Sequence, residues 1–372
     1  MKRHLLRILT VACAALLLPS FATAQFTFVG PSGGDFFDVL NWQDGGGFNP
    51  ASIIDGGTSK VEIDLILDGD LVYATSEIPF GVGSLSLLSG SNLNVNSGGV
   101  SFDTGSLSLD GSQLNILNDS SSQLDMNPGS SFSLVDSFLV ASDDIFFGGN
   151  ASISGSRIVS VADDIEFQTG SVVSLLHDSS LTTADLNQII SFQSSATITD
   201  STFSTGRLSI RTNTDLVAID SVLNMNGDID DAFNSFSNGT LTLQGNTALR
   251  ADQLDEGITL YLEDESQASF IDDNAEGEWI TDPGVAPFET KVVFKSRFAA
   301  LSFVGPQGLS DDATQVFNGL SGTEFSYATH PHLFTPSNWN GQSTVTIMAV
   351  PEPSVAILAS FAIASSLCLR RR

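Results

Sequence analysis

Phe138-Leu139-Val140-Ala141-Ser142-Asp143-Asp144-Ile145-Phe146-Phe147 is echoed by Ile158-Val159-Ser160-Val161-Ala162-Asp163-Asp164-Ile165-Glu166-Phe167 at an offset of 20. Each stretch is an apolar strip, a polar break ending in two aspartates, and a second apolar strip. Further along, Leu186, Leu208 and Ile229 take the place of Ile165 at steps of 21, 22 and 21. A turn of the form Asp/Gly-Ser precedes most units, as Asp136-Ser137, Gly155-Ser156, Asp178-Ser179, Asp200-Ser201 and Asp220-Ser221. Self-similarity at this period marks a solenoid, whose single unit cannot bury its apolar face and must stack on its neighbours.

The strips alternate with period two. Ser106-Leu107-Ser108-Leu109, Ala196-Thr197-Ile198-Thr199 and Thr240-Leu241-Thr242-Leu243 are examples. Such alternation between turn formers predicts short β-strands. Asp185 to Ile190 is the one weak helical candidate. A unit of this length holds three short strands and three turns, the size of one rung of a right-handed parallel β-helix. Neither the left-handed hexapeptide pattern nor the Gly-Gly-x-Gly-x-Asp calcium repeat occurs. At ~4.8 Å between stacked strands, about nine coils would build a rod roughly 40 Å long. A β-sandwich or a string of hairpins is the competing fold, and the near-identical Asp-Asp-Ile cores argue against it.

The ends of the repeat region have another texture. Phe28-Val29-Gly30-Pro31-Ser32-Gly33 recurs as Phe303-Val304-Gly305-Pro306-Gln307-Gly308, and each copy is followed by Phe-x-x-x-Asn-Trp, at Phe37 to Trp42 and Phe334 to Trp339. The first copy resembles the Asn-Trp segment that opens autotransporter-like repeat proteins. The expected class is therefore all-β: a right-handed parallel β-helix with N- and C-terminal caps, plus a signal peptide and a C-terminal apolar helix. The expected divisions are 1–24 signal peptide, 25–84 N-terminal cap, 85–276 repeats, 277–349 C-terminal cap or small β-domain, and 350–372 tail.

Lys2, Arg3 and Arg7 form a basic start, Leu5 to Leu18 is largely apolar, and Ala22-Thr23-Ala24 is a small-x-small cleavage site. This is the pattern of a secretory signal, which predicts a mature chain beginning at Gln25. The tail reads Pro351-Glu352-Pro353, then an apolar run from Val355 to Leu369, then Arg370-Arg371-Arg372. That run is shorter than the ~20 residues that span a bilayer core comfortably, and the arginines favour the cytoplasmic side. The order of the three parts resembles the PEP-CTERM sorting signal. The resemblance covers residues 350–372 alone. It implies transient residence in the inner membrane, processing by an exosortase-type enzyme, delivery to the cell surface or extracellular matrix, and association with exopolysaccharide or biofilm.

Cys13 and Cys368 are the only cysteines, so the segment between them has no disulfide and no thiolate chemistry. Between residues 25 and 349 eight basic residues face 42 acidic ones, a formal charge near −34, and residues 61 to 156 contain no Lys, Arg or His. Binding to nucleic acid needs basic groups that displace counterions from phosphate, so that class is excluded. Divalent cations and basic partners stay open.

In a regular stack the residues preceding the coil anchors, Asp144, Asp164, Asp185, Arg207 and Asp228, form a column. Carboxylates ~4.8 Å apart repel by about 1 kcal/mol in water and more when desolvated. Arg207 would relieve its neighbours. Asp143, Asp144, Asp163 and Asp164 have no such relief and are candidate calcium ligands, because calcium takes six to eight oxygens; without an ion they are solvated turn residues. Asp228-Ile229-Asp230-Asp231 is a second cluster of the same kind. His330-Pro331-His332 lacks a second His/Cys pair and reads as a structural loop, and His177 as a turn residue.

No catalytic residue is assigned. The repeats hold only Arg157, Arg207, Arg211 and Arg250 as basic side chains, and carboxylates are too abundant for any pair to signify. The expectation is an exported, non-catalytic structural or adhesive protein without a cofactor other than weakly held calcium. The alternative is a polysaccharide-active β-helix enzyme, a lyase or hydrolase. A cleft where Arg or Lys converges with carboxylates would favour it.

Overall fold

The computed structural model describes residues 24–117, 122–176, 178–185, 187–211, 213–230, 239–254, 257–271, 290–296, 298–304, 320–322, 334–337 and 344–349. Short strands follow one another, and three sheets collect every third strand through the repeats. Two sheets have 14 strands and the third has eight. The chain is a parallel β-solenoid of eight three-stranded coils, extended beyond Ile229 by coils with strands in two sheets. One 3₁₀ turn, Val39–Asn41, is the only helix among the described residues.

Alternation creates the core. Leu107 and Leu109 are buried in Ser106–Asp110, as are Leu241 and Leu243 in Thr240–Gln244. Backbone groups pair with the coils on either side, so the interior needs only apolar side chains. In the third sheet Ile78, Val100, Leu124, Ile145, Ile165, Ile190, Leu208 and Ile229 stack in one interior column. Two positions further on runs a column of larger side chains, Phe80, Phe102, Met126, Phe147, Phe167, Phe192 and Ile210. The rings of Phe147, Phe167 and Phe192 stack at 4.9 and 4.8 Å with interplanar angles of 15° and 12°.

Coil length varies while the strands keep register. The step from Ile165 to Ile190 is 25, and the step from Ile190 to Leu208 is 18. The expected column member Leu186 is thus replaced by Ile190, and Leu186 itself lies outside the described residues. Asp185, expected in the column beneath Arg207, sits on an exposed turn, and Ile189 pairs with Arg207 instead. The two opening stretches also slip by one position in the second sheet, where Leu139, not Phe138, lies opposite Ile158. The additional residue is absorbed in the turn before Ile165. Had the strand itself slipped, its apolar set would have faced solvent.

The corner between the first and second sheets explains the Asp/Gly-Ser turns. Asp136, Asp178, Asp200 and Asp220 have φ of 47–50°, and Gly155 has φ 58°. This left-handed conformation favours Gly and tolerates Asp. The next residue is a buried serine. Ser137 Oγ donates to Val135 O at 2.6 Å and accepts the Ser112 N–H at 3.1 Å, while Ser137 N–H donates to Ser156 Oγ at 3.0 Å. The pattern recurs at Ser201 and Ser221 and makes a hydrogen-bonded ladder along the corner.

Parallel stacking begins before residue 85 and continues past residue 276. Asp64–Asp68, Leu71–Ala74 and Ile78–Phe80 already form a full coil, and Lys291–Phe294 and Ala300–Val304 stack in parallel on the coil before them. An antiparallel pair ends the first sheet on the N-terminal side and the second sheet on the C-terminal side. Trp42–Gln43 folds back on Gln25–Phe28, and Thr344–Ala349 pairs antiparallel with Ala300–Val304 and with Phe334–Ser337. Trp42 is fully buried between Phe28 and Phe36, and its Nε1 donates to Phe36 O at 2.8 Å. The Nδ2 of Asn41 donates to Asp35 O at 2.9 Å. The first Asn-Trp thus plugs the N-terminal end of the core. In the second copy Asn338 and Trp339 lie outside the described residues.

Candidate acidic site

The turns leading into Ile145 and Ile165 lie on adjacent coils at the corner between the second and third sheets. Ser160, buried at this corner, fastens them together. Its hydroxyl lies 3.0 Å from Asp143 O and 2.6 Å from Asp163 O, and it accepts the Asp163 N–H at 3.3 Å. The Asp164 N–H donates to Asp144 Oδ1 at 3.2 Å. The backbone therefore determines where the aspartates sit.

One carboxylate oxygen from each of Asp143, Asp144 and Asp163 lies within 4.8 Å of the others, and all three residues are half-buried. Asp164, the fourth expected ligand, turns to the following coil, where its Oδ1 accepts the Ile189 N–H at 2.7 Å. Burial, reinforced by the Asp163 carboxylate, pushes Asp144 up to about 6. Burial also raises Asp164, although the Ile189 N–H and Arg207 hold it back. Glu166, on the outer face of the third sheet, is raised by burial and partly restrained by Arg211. Hydrogen bonding and opposite charge stabilise the ionised form, and desolvation and like charge oppose it. The triad thus presents three oxygens, of which that of Asp144 takes a proton below about 6, in an arrangement that suits a hard, oxygen-preferring cation.

A second acidic concavity, of about 360 Å³, lies on the outside of the third sheet between Glu77, Gln123, Asp125 and Asn127. Burial raises Asp125, and nearby Asp103 adds to the effect. Asp103 itself is ion-paired with Lys60, at the edge of the stretch devoid of basic residues. Nothing local in the sequence marks this place, because Asp125 joins Asp103 and Glu77 only after coils of unequal length are stacked.

Of the terminal residues, Gln25 opens the first strand, opposite Asp64, and Ala24 O accepts the Asp64 N–H at 3.3 Å. Ala22, the tail from Pro351 to Arg372 with Glu352, Pro353, Arg370 and Arg371, the histidines His177, His330 and His332, and Asp231 lie outside the described residues. Among the described residues no helix is long and apolar enough to cross a membrane.

No family model, no curated protein and no solved structure matches the chain.

Proposed function

We propose that the chain is an exported, non-catalytic structural or adhesive protein of the cell surface or extracellular matrix. Its solenoid is right-handed, since crossovers between parallel strands of one sheet take that hand in about 98% of cases. The signal peptide directs export, the chain rests briefly in the inner membrane, and an exosortase-type enzyme processes the tail. The observation that carries this reading is the order Pro351-Glu352-Pro353, apolar run, Arg370 to Arg372. Two features support a matrix role. The strong negative charge keeps an extracellular rod soluble and repels nucleic acid. The outer face of the second sheet carries ladders of Asn, Gln, Ser and Thr suited to exopolysaccharide. Calcium held by Asp143, Asp144 and Asp163 belongs to the same reading, as a stabiliser of the surface form.

The enzymatic alternative draws on Arg157, which lines a concavity of about 250 Å³ with Asp136 and Asp178. The Arg157 guanidinium rests over the Phe138 ring at 5.8 Å and is ion-paired to neither carboxylate. Incubation of the purified protein with a panel of polysaccharides separates the two readings. Retention of a glycan without new reducing or unsaturated ends is the expected result. Appearance of such ends, abolished by Arg157→Gln, would establish the enzyme.

A further inference from the structure

The outer face of the second sheet changes character along the rod. Near its N-terminal end the amides are used within the ladder: Asn92 donates to Gln113 at 3.2 Å, and Asn115 donates to Asn92 and Asn94, each at 3.0 Å. Toward the C-terminal end Ser204, Asn224, Arg250, Ser269 and Ser302 fall in one outward column on consecutive coils. This column lines a groove of about 630 Å³ whose neighbouring positions include Val222, Ala248 and Gln267. Among the described residues, the side chains of Asn224, Arg250, Gln267 and Ser269 make no hydrogen bond or ion pair. No described Asp or Glu lines the groove, in a chain with 43 acidic residues against 14 basic ones.

We propose that this groove binds an extended anionic glycan, with Arg250 receiving a carboxylate or sulfate of the sugar and Asn224, Gln267 and Ser269 its hydroxyls. The proposal rests on the matrix reading above and names its ligand class and its site. A guanidinium presents several donors and no acceptor, which suits an oxyanion. Amides and hydroxyls both donate and accept, which suits a polyol. Small apolar positions at Val222 and Ala248 leave room for the less polar face of a sugar ring. An acidic peptide is the poorer fit. Every strand under the groove is paired on both sides, so no backbone edge is open for strand addition. The column spacing of ~4.8 Å sets the ligand along the rod axis, across successive coils.

The test is calorimetric titration of the purified full-length protein with an oligouronate, the matched neutral oligosaccharide and a polyglutamate peptide, with a chelator present so that no cation bridges ligand to aspartate. The oligouronate is expected to bind more tightly than the other two. Arg250→Gln should weaken it about tenfold or more, the loss of one charged hydrogen-bonding group. Arg250→Lys should recover part of the affinity, and Lys295→Gln, outside the groove and paired with Glu263, should leave it unchanged. Unchanged melting temperatures in these exposed variants show that folding is intact. Binding that ignores Arg250→Gln overturns the site and leaves the matrix reading standing. Failure of the wild-type protein to bind either oligosaccharide overturns the site and counts against the matrix reading itself. Tighter binding of polyglutamate overturns the glycan in favour of an acidic protein partner.

Discussion

Asp144 is half-buried beside Asp143 and Asp163, and it ionises near 6 rather than at the ordinary 3.8. The folded chain therefore holds this proton more tightly than the unfolded chain. That contribution is complete below about 3.8 and is lost as pH rises through about 6. Asp144→Asn keeps an oxygen toward the Asp164 N–H but cannot ionise. Relative to wild type, its melting temperature should be near equal at about pH 4 and higher at about pH 7.5. A difference that stays constant over that range contradicts the assignment. The same carboxylates predict a calcium effect, because a ligand bound only by the folded state stabilises it by mass action. Millimolar calcium should raise the melting temperature more than sodium chloride of equal ionic strength, and Asp144→Asn should remove the excess. Equal shifts from the two salts would leave the triad as solvated charge.

Coils succeed here because strands hold register and turns absorb differences in length. Ile165, fully buried between Ile145 and Ile190, is the place to test this. Ile165→Asp puts a carboxylate among apolar rungs and should cost about 4 kcal/mol or more, enough to unfold the chain or leave it insoluble. A soluble variant with a native denaturation midpoint would place Ile165 outside the core. Ser137→Ala probes the corner ladder. It leaves the Ser112 N–H without its acceptor and should lower stability by about 1–3 kcal/mol in a denaturant titration; no change would mean the ladder adds nothing. These two elements also show what could be read beforehand. The period-two strips and the Asp/Gly-Ser turns are local, so strands and corner were legible in the sequence. The place of Ile190 was not, since the long coil after Ile165 breaks the period that pointed to Leu186. The grouping of Asp143, Asp144 and Asp163 follows from two adjacent similar coils. The departure of Asp164 toward Ile189 depends on the following coil, whose turn is longer. The Arg250 groove was hidden for a like reason: Asn224, Arg250 and Ser269 stand on separate coils at unequal steps and meet only in the stack.

The described strands stack coil on coil into a rod, and an antiparallel strand ends the first sheet on the N-terminal side and the second sheet on the C-terminal side. With a formal charge near −34 between residues 25 and 349, the rod repels its own copies, so any assembly would proceed through ligands or cations rather than bare contact. The central claim is that this rod is exported and trimmed at both ends before it acts. Intact-mass spectrometry of the protein recovered from outside the producing cells tests it most directly. The account predicts a chain beginning at Gln25 and ending near Pro353, without Arg370, Arg371 and Arg372. A released chain that still carries the arginine triplet, or a chain found only inside the cell with Met1 in place, would contradict it.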